Sequence, residues 1–175
     1  MAEIGERVAR LEDRAELQDL VVRYFLAADG DDLEALAEIF AAEARFSIGG
    51  WAGGTTREEV IGFLAGERQK MGLTLHTPNY ALFTFRGGDR ASGLVGAHLE
   101  LVLDAASVFG AVRYQDDYVR RDGRWQILAR DMRTIHIAPW AEVGAAFASA
   151  TPVRWPGTAP APSDFPRRGD DPAAR

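Results

Sequence analysis

The side chains that could do acid–base chemistry are few. There are three histidines, His76, His98 and His136, in a chain of 175 residues without cysteine. His76 sits in Leu73-Thr74-Leu75-His76-Thr77-Pro78-Asn79, a polar residue entering just before a proline near the start of a strand, as at the rim of a pocket. His98 interrupts an apolar run and by alternation shares a face with Glu100, which either meets solvent or lines a polar pocket. His136 lies two residues past Thr134, and nothing around it suggests a role. Asp29 opens Asp29-Gly30-Asp31-Asp32, either as an ordinary turn aspartate or as a carboxylate at a helix C-terminus. The latter faces the wrong pole of the helix dipole, so a cationic partner would account for it. A histidine would serve: a carboxylate fixes the tautomer of an imidazole and stabilises the imidazolium that forms when it takes a proton. Tyr24 lies five residues earlier, about 140° around a regular helix, and is otherwise a core aromatic. Arg130 interrupts Trp125-Gln126-Ile127-Leu128-Ala129-Arg130-Asp131, where an arginine needs either a carboxylate such as Asp131 or a cavity.

Other chemistries lack their residues. Without cysteine there is no thiol nucleophile, disulfide or thiolate metal site. Lys70 is the single lysine, in the polar run Glu67-Arg68-Gln69-Lys70, so Schiff-base chemistry has one unpromising candidate. The histidines show no ligand spacing, which predicts no metal, and no GxGxxG, GxxxxGK[ST] or GxSxG motif occurs, which predicts no nucleotide cofactor. The formal charge is −6, opposing nucleic acid or an anionic membrane as partner. No apolar run approaches the roughly 20 residues of a membrane span, and the charged start MAEIGERVARLEDR lacks the apolar core of a signal peptide. The expected location is cytoplasmic. Arginine usage with abundant alanine suggests a GC-rich bacterial source.

The elements that must position these side chains are legible in outline. Ile4, Val8 and Leu11 form a short apolar stripe, and Asp13 with Glu16 resembles a capping box before Leu17, Leu20, Val21, Tyr24, Phe25 and Ala28. Asp32 can cap a second helix bearing Leu33, Leu36 and Phe40. Residues 44–48 read as a short strand, Gly49 to Gly54 as a mobile loop around Trp51, and Thr56-x-x-Glu59 as the start of a third helix. Four long strands follow, over 74–86, 92–104, 107–121 and 124–137, with hairpin turns at Gly87-Gly88-Asp89 and Asp122-Gly123. Helices first and hairpin-linked strands after predict an α+β fold, a curved antiparallel sheet closed by N-terminal helices around a pocket. One domain is expected over 1–150. Six of the eight prolines fall in 151–175, read as an extended tail with Trp155 and Phe165 as anchors, disordered from about 167.

Glu16-Leu17-Gln18-Asp19-Leu20 leading to Tyr24, Asp29 before a second helix, His76 before a strand, and Tyr114-Gln115-Asp116-Asp117-Tyr118-Val119-Arg120-Arg121-Asp122-Gly123-Arg124-Trp125 together resemble the SnoaL-like group of the NTF2-like superfamily, over roughly residues 5–140. The resemblance implies a cone-shaped α+β barrel. It is greatest to the hexachlorocyclohexane dehydrochlorinase, bile-acid 7α-dehydratase and scytalone dehydratase types, which need no cofactor. It implies an Asp29–His76 dyad with His76 as base, catalytic roles for Tyr24 and Arg130, and substrate contacts by His98 and Tyr114. Tyr24 stands where the dehydrochlorinase type has lysine and the dehydratases have tyrosine, which favours loss or movement of oxygen over loss of chloride. The expectation is a cofactor-independent lyase, dehydratase-like, acting on a small hydrophobic cyclic or polycyclic molecule, and a homo-oligomer, trimer or dimer. The same base would also suit an isomerase or polyketide cyclase, and the fold also serves non-catalytic binding or assembly modules.

Overall fold

The computed structural model describes residues 4–166. The first helix, α1 (Ile4–Asp29), is continuous and buries Leu17, Leu20, Val21, Tyr24, Phe25 and Ala27. It does not begin at Asp13, as the capping-box reading had it. Asp13 and Glu16, three residues apart and therefore on one face, are turned to the far end of the sheet instead. Asp13 Oδ1 accepts from the Trp125 indole at 3.0 Å and from Arg120 Nη1 at 2.5 Å, and Glu16 Oε1 accepts from the Trp125 backbone N–H at 2.9 Å. These bonds dock the helix onto the hairpin that carries Arg-Arg-Asp-Gly-Arg-Trp.

A short α2 (Leu33–Ile39) is capped by the Asp32 side chain, which accepts from Ala35 N–H at 2.9 Å. Phe40 leaves this helix and starts β1 (Phe40–Ile48). Gly49 and Gly50 turn into β2 (Trp51–Gly54), so the segment expected as a loop is an edge strand, with Trp51 edge-on to Phe63 at 5.3 Å. Gly54, at φ +145°, passes so close to α3 that an added Cβ would lie 2.7 Å from the Val60 nitrogen, room only glycine has. Helix α3 (Arg57–Arg68) begins at the expected box: Thr56 Oγ1 accepts from Glu59 N–H at 3.2 Å, while Glu59 returns to Thr55 rather than Thr56.

Four long strands follow: β3 (Met71–Gly87), β4 (Arg90–Leu103), β5 (Ala106–Arg121) and β6 (Arg124–Pro139). The Asp122-Gly123 turn takes positive φ at both residues, as a two-residue hairpin on twisted strands requires. Asp104-Ala105 does the same without a glycine, which is why the sequence did not mark it. The sheet order is β2-β1-β6-β5-β4-β3. It is mixed rather than wholly antiparallel, because β1 runs parallel to β6. The helix α3 and the β3–β5 meander lie between these strands in sequence and supply the long crossover a parallel pair needs. Register shifts at Ala111/Val112 and Asp117/Tyr118 mark bulges, which sharpen the bend and twist of the strands they interrupt.

The concave face carries Val95, Ala97, Leu99, Leu101, Val112, Tyr114, Tyr118 and Ile127 against α1, α2 and α3. After a turn of 3₁₀ helix (Trp140–Glu142) and α4 (Val143–Ala148), neither evident in the sequence, the chain returns beside β6. Val153 bridges Ile137 in parallel and Ala161 in antiparallel fashion, and Trp155 packs against this chain's own core. Asp164 accepts from Thr134 N–H at 2.6 Å, and Phe165 lies under Arg113 at 4.4 Å. The disorder expected from 167 onward lies outside the described residues. Among the described residues no helix is long and apolar enough to cross a membrane.

Candidate active site

The C-terminus of α1 places Asp29. Gly30 N–H returns to Leu26 O at 2.9 Å and Asp32 N–H to Ala27 O at 2.9 Å, a closure made possible by Asp31 at φ +56°. Asp29 is thereby held facing β3. There it meets His76 twice: Oδ2 accepts from the His76 backbone N–H at 2.8 Å, and Oδ1 lies 2.6 Å from Nδ1. A carboxylate oxygen can only accept, so Nδ1 carries the proton and Nε2 is the basic nitrogen. No described residue hydrogen-bonds Nε2, and the imidazole is 16 % exposed, so it can be reached. Burial pushes the Asp29 carboxyl up, but the His76 ring, the His76 backbone N–H and the Thr74 hydroxyl together hold it below the usual aspartate value. It is ionised at neutral pH.

Phe25, one turn before Asp29 on α1, lies flat on the imidazole, with centroids 5.0 Å apart and planes 18° from parallel. The sequence marked Phe25 only as a core position, and its helical spacing to Asp29 was the signal available. Tyr114 packs on Phe25 at 5.7 Å and on Tyr24 at 6.2 Å. The dehydratase-like set is thus brought together in part: Asp29 and His76 bond directly, and Tyr24 and Tyr114 lie behind Phe25.

Arg130 is placed deeper than expected. Its side chain and that of Asp116 are both 0 % exposed, and two bonds join them, Nε to Oδ1 at 2.9 Å and Nη2 to Oδ2 at 2.7 Å. The carboxylate partner is Asp116, across the ladder from Arg130, and not the neighbouring Asp131, which alternation turns to the other face. Tyr118 donates a third bond to Asp116 at 2.6 Å. The guanidinium lies 4.0 Å from the Tyr24 ring centroid and 4.6 Å from that of Tyr114, and Nη1 has no hydrogen-bond partner. Burial disfavours the Arg130 charge, but Asp116 more than offsets it and holds the group well above its ordinary value. Burial likewise pushes the Tyr24 phenol up, and the Arg130 charge holds it back.

His98 is not brought to this site. His76 pairs with Leu99 across the β3–β4 ladder, so His98 points to the opposite, convex face. There it stacks on Phe109 at 5.6 Å and meets Asn79 at 3.1 Å, with His136 beyond the same phenylalanine. A groove of about 590 Å³, lined by Arg45, Ser47, Gln115, Asp117 and Asp131 among others, reaches Asp116 and Arg130 but neither Asp29 nor His76. Among the described residues no three histidine, cysteine, aspartate or glutamate side chains gather in a way that could hold a metal ion.

Comparison with known proteins bears on the family and the fold. A family model, the SnoaL-like domain, matches residues 9–131. No protein of curated function matches the sequence. Among solved structures, that of LinA is 26 % identical over 77 % of this chain and 94 % of that chain, with a TM-score of 0.72. A hexachlorocyclohexane dehydrochlorinase of the third LinA type, from Novosphingobium barchaimii, is 22 % identical over 77 % and 94 %, also at 0.72. A scytalone dehydratase candidate from Novosphingobium aromaticivorans is 19 % identical over 75 % and 89 %, at 0.69. The last two likenesses are of fold alone. With the family model spanning α1 through the first half of β6, and the curved sheet and covering helices in their place, the chain belongs to the SnoaL-like family of the NTF2-like superfamily.

Proposed function

We propose that the protein is a cofactor-independent lyase, dehydratase-like, acting on a small hydrophobic cyclic or polycyclic molecule in the cytoplasm. The observation that carries this reading is the bond between ionised Asp29 and His76 Nδ1, which leaves Nε2 as an accessible base. The family and the likeness to LinA support a lyase in general terms. In this reading His76 Nε2 takes a carbon-bound proton and Asp29 stabilises the imidazolium. The C–H electron pair becomes the new double bond, the C–O bond breaks, and the leaving oxygen takes a proton from Tyr24. Solvent then returns a proton to the phenol and removes one from the imidazolium. Arg130, neutralised by Asp116, acts on Tyr24: a cation at 4.0 Å from the ring makes the phenol a better donor. Tyr114 forms part of the wall. The test is a panel of cyclic β-hydroxy carbonyl compounds assayed for loss of one water, with and without chelator. Dehydration of at least one, indifferent to chelator and absent in His76→Ala, is the expected result. Rearrangement or ring closure without loss of water would favour an isomerase or cyclase with the same base.

Tyr24→Phe should slow turnover less than His76→Ala, because a water can take the place of the phenol as donor, whereas no nearby group replaces the imidazole. Steady-state kinetics on the same substrate make the comparison.

We also propose a homo-oligomer. Leu73 (82 % exposed), Leu82 (61 %), Trp140 (56 %) and Phe147 (63 %) leave large apolar side chains in water. Light scattering at micromolar concentration should give a trimer or dimer mass, and a monomer would contradict it.

A further inference from the structure

The solvent side of α1 carries a stripe that the candidate site does not use. Ile4, Val8, Leu11, Ala15, Gln18 and Val22 follow one another at alternating steps of four and three residues. On a regular helix they fall within one band about 80° wide. The band lies opposite the side that buries Leu17, Leu20 and Tyr24 and that docks Asp13 and Glu16 on Trp125. All six residues are exposed: Ile4 is 78 % and Leu11 66 % open to solvent, against 0 % for Leu17. Leu26, also exposed, extends the stripe at its edge. Residues 4–12 are all exposed and yet helical. So short a helix is marginal by itself in water, and a partner along this face would account for its persistence.

The spacing is that of a coiled-coil seam, with a and d positions recurring over about three heptads. The β-branched Val8 and Val22 take a positions and Leu11 a d position, the distribution that favours two parallel strands. Charges flank the seam unequally. Arg7 and Arg14 stand along one edge, at g positions, and Glu12 and Asp19 along the other, at e positions. None of the four has an ion-pair partner among the described residues. Two copies lying parallel bring Arg7 of each opposite Glu12 of the other, and Arg14 opposite Asp19. An antiparallel pair would set arginine on arginine and carboxylate on carboxylate. Resting on the homo-oligomer proposed above and naming a face for it, we propose that two copies of this chain pair along α1 as a parallel two-stranded coiled coil. Gln18, at a d position, then meets its own counterpart, and two amides can hydrogen-bond each other across the axis. The helix that carries Asp29 is thereby held on both sides, by its own sheet and by its twin.

The chain has no cysteine, so a single introduced thiol reports proximity without interference. In a parallel pair position 8 faces its own copy. Val8→Cys should therefore oxidise to a disulfide-linked dimer, and Glu58→Cys, exposed on α3, should not. Leu11→Glu takes a leucine from both helices at once and should weaken association about a hundredfold by sedimentation. Arg14→Glu and Asp19→Arg should each weaken it several-fold and together restore it, because the pair is remade with its signs reversed. Val8, Leu11, Asp19 and Glu58 are exposed, so circular dichroism should show their variants folded. No disulfide from Val8→Cys, with a mass unchanged by Leu11→Glu, would overturn this proposal and leave the homo-oligomer standing on other surfaces. A disulfide that forms only when Val8→Cys is mixed with Val22→Cys would make the helices antiparallel and overturn it too. A monomeric wild-type protein would overturn both.

Discussion

His76→Ala should remove most of the turnover, a loss on the order of 10²–10⁴-fold, the range over which a positioned base contributes. His76→Gln should not restore it. The amide can keep the hydrogen bond to Asp29 and much of the contact with Phe25, but it cannot take a proton at neutral pH. Asp29→Asn should also lose rate, because it preserves shape while removing the charge that stabilises the imidazolium and the acceptor that keeps the proton on Nδ1. Steady-state rates on one substrate, with circular dichroism to establish folding, decide the matter. Near wild-type turnover in His76→Ala together with a dead Asp29→Asn would make Asp29 the base and reverse the roles.

The second large effect concerns stability. Asp116→Ala should cost about 3–5 kcal/mol, the usual penalty for leaving one member of a buried ion pair uncompensated. Both side chains are wholly buried, and the bond from Tyr118 is lost as well. The double change Asp116→Leu with Arg130→Met should recover much of that loss, since a buried pair replaced by apolar groups of similar size is often near neutral. Urea unfolding of the two single variants and the double variant measures this. A cost for Asp116→Ala within the range of a surface substitution, about 0.5 kcal/mol, would contradict it. The expectation also guards the kinetics: any rate lost in Arg130→Met is read only at temperatures where the variant is folded.

Much of the site could be read from the sequence because its residues sit at positions local rules mark. Asp29 follows a helical apolar pattern and precedes a glycine turn, and His76 precedes a proline at a strand start. Their pairing joins positions 47 apart, which no local rule supplies, and only the family pattern linked them. Arg130 was visible as a charge in an apolar run, but its partner depended on the β5–β6 register, which sets Asp116 opposite it. His98 failed for a related reason. Alternation correctly put it opposite Val95, Ala97 and Leu99, and those residues turned out to form the concave wall. Asp13 and Glu16 carried a true signal read too locally: their spacing is that of a capping box, yet they bind Trp125 over a hundred residues away. The parallel β1–β6 pair was hidden because pairing partners so distant leave no trace in hydrophobic alternation.

The central claim is that His76 Nε2 removes a proton from carbon without help from a cofactor. The most direct measurement uses a cyclic ketone that has an acidic C–H but no leaving group, incubated with the protein in D₂O and followed by loss of its proton NMR signal. Exchange should be fast with the wild-type protein, indifferent to chelator and reduced to the buffer rate in His76→Ala. Exchange that persists in His76→Ala, or that chelator abolishes, would contradict the account.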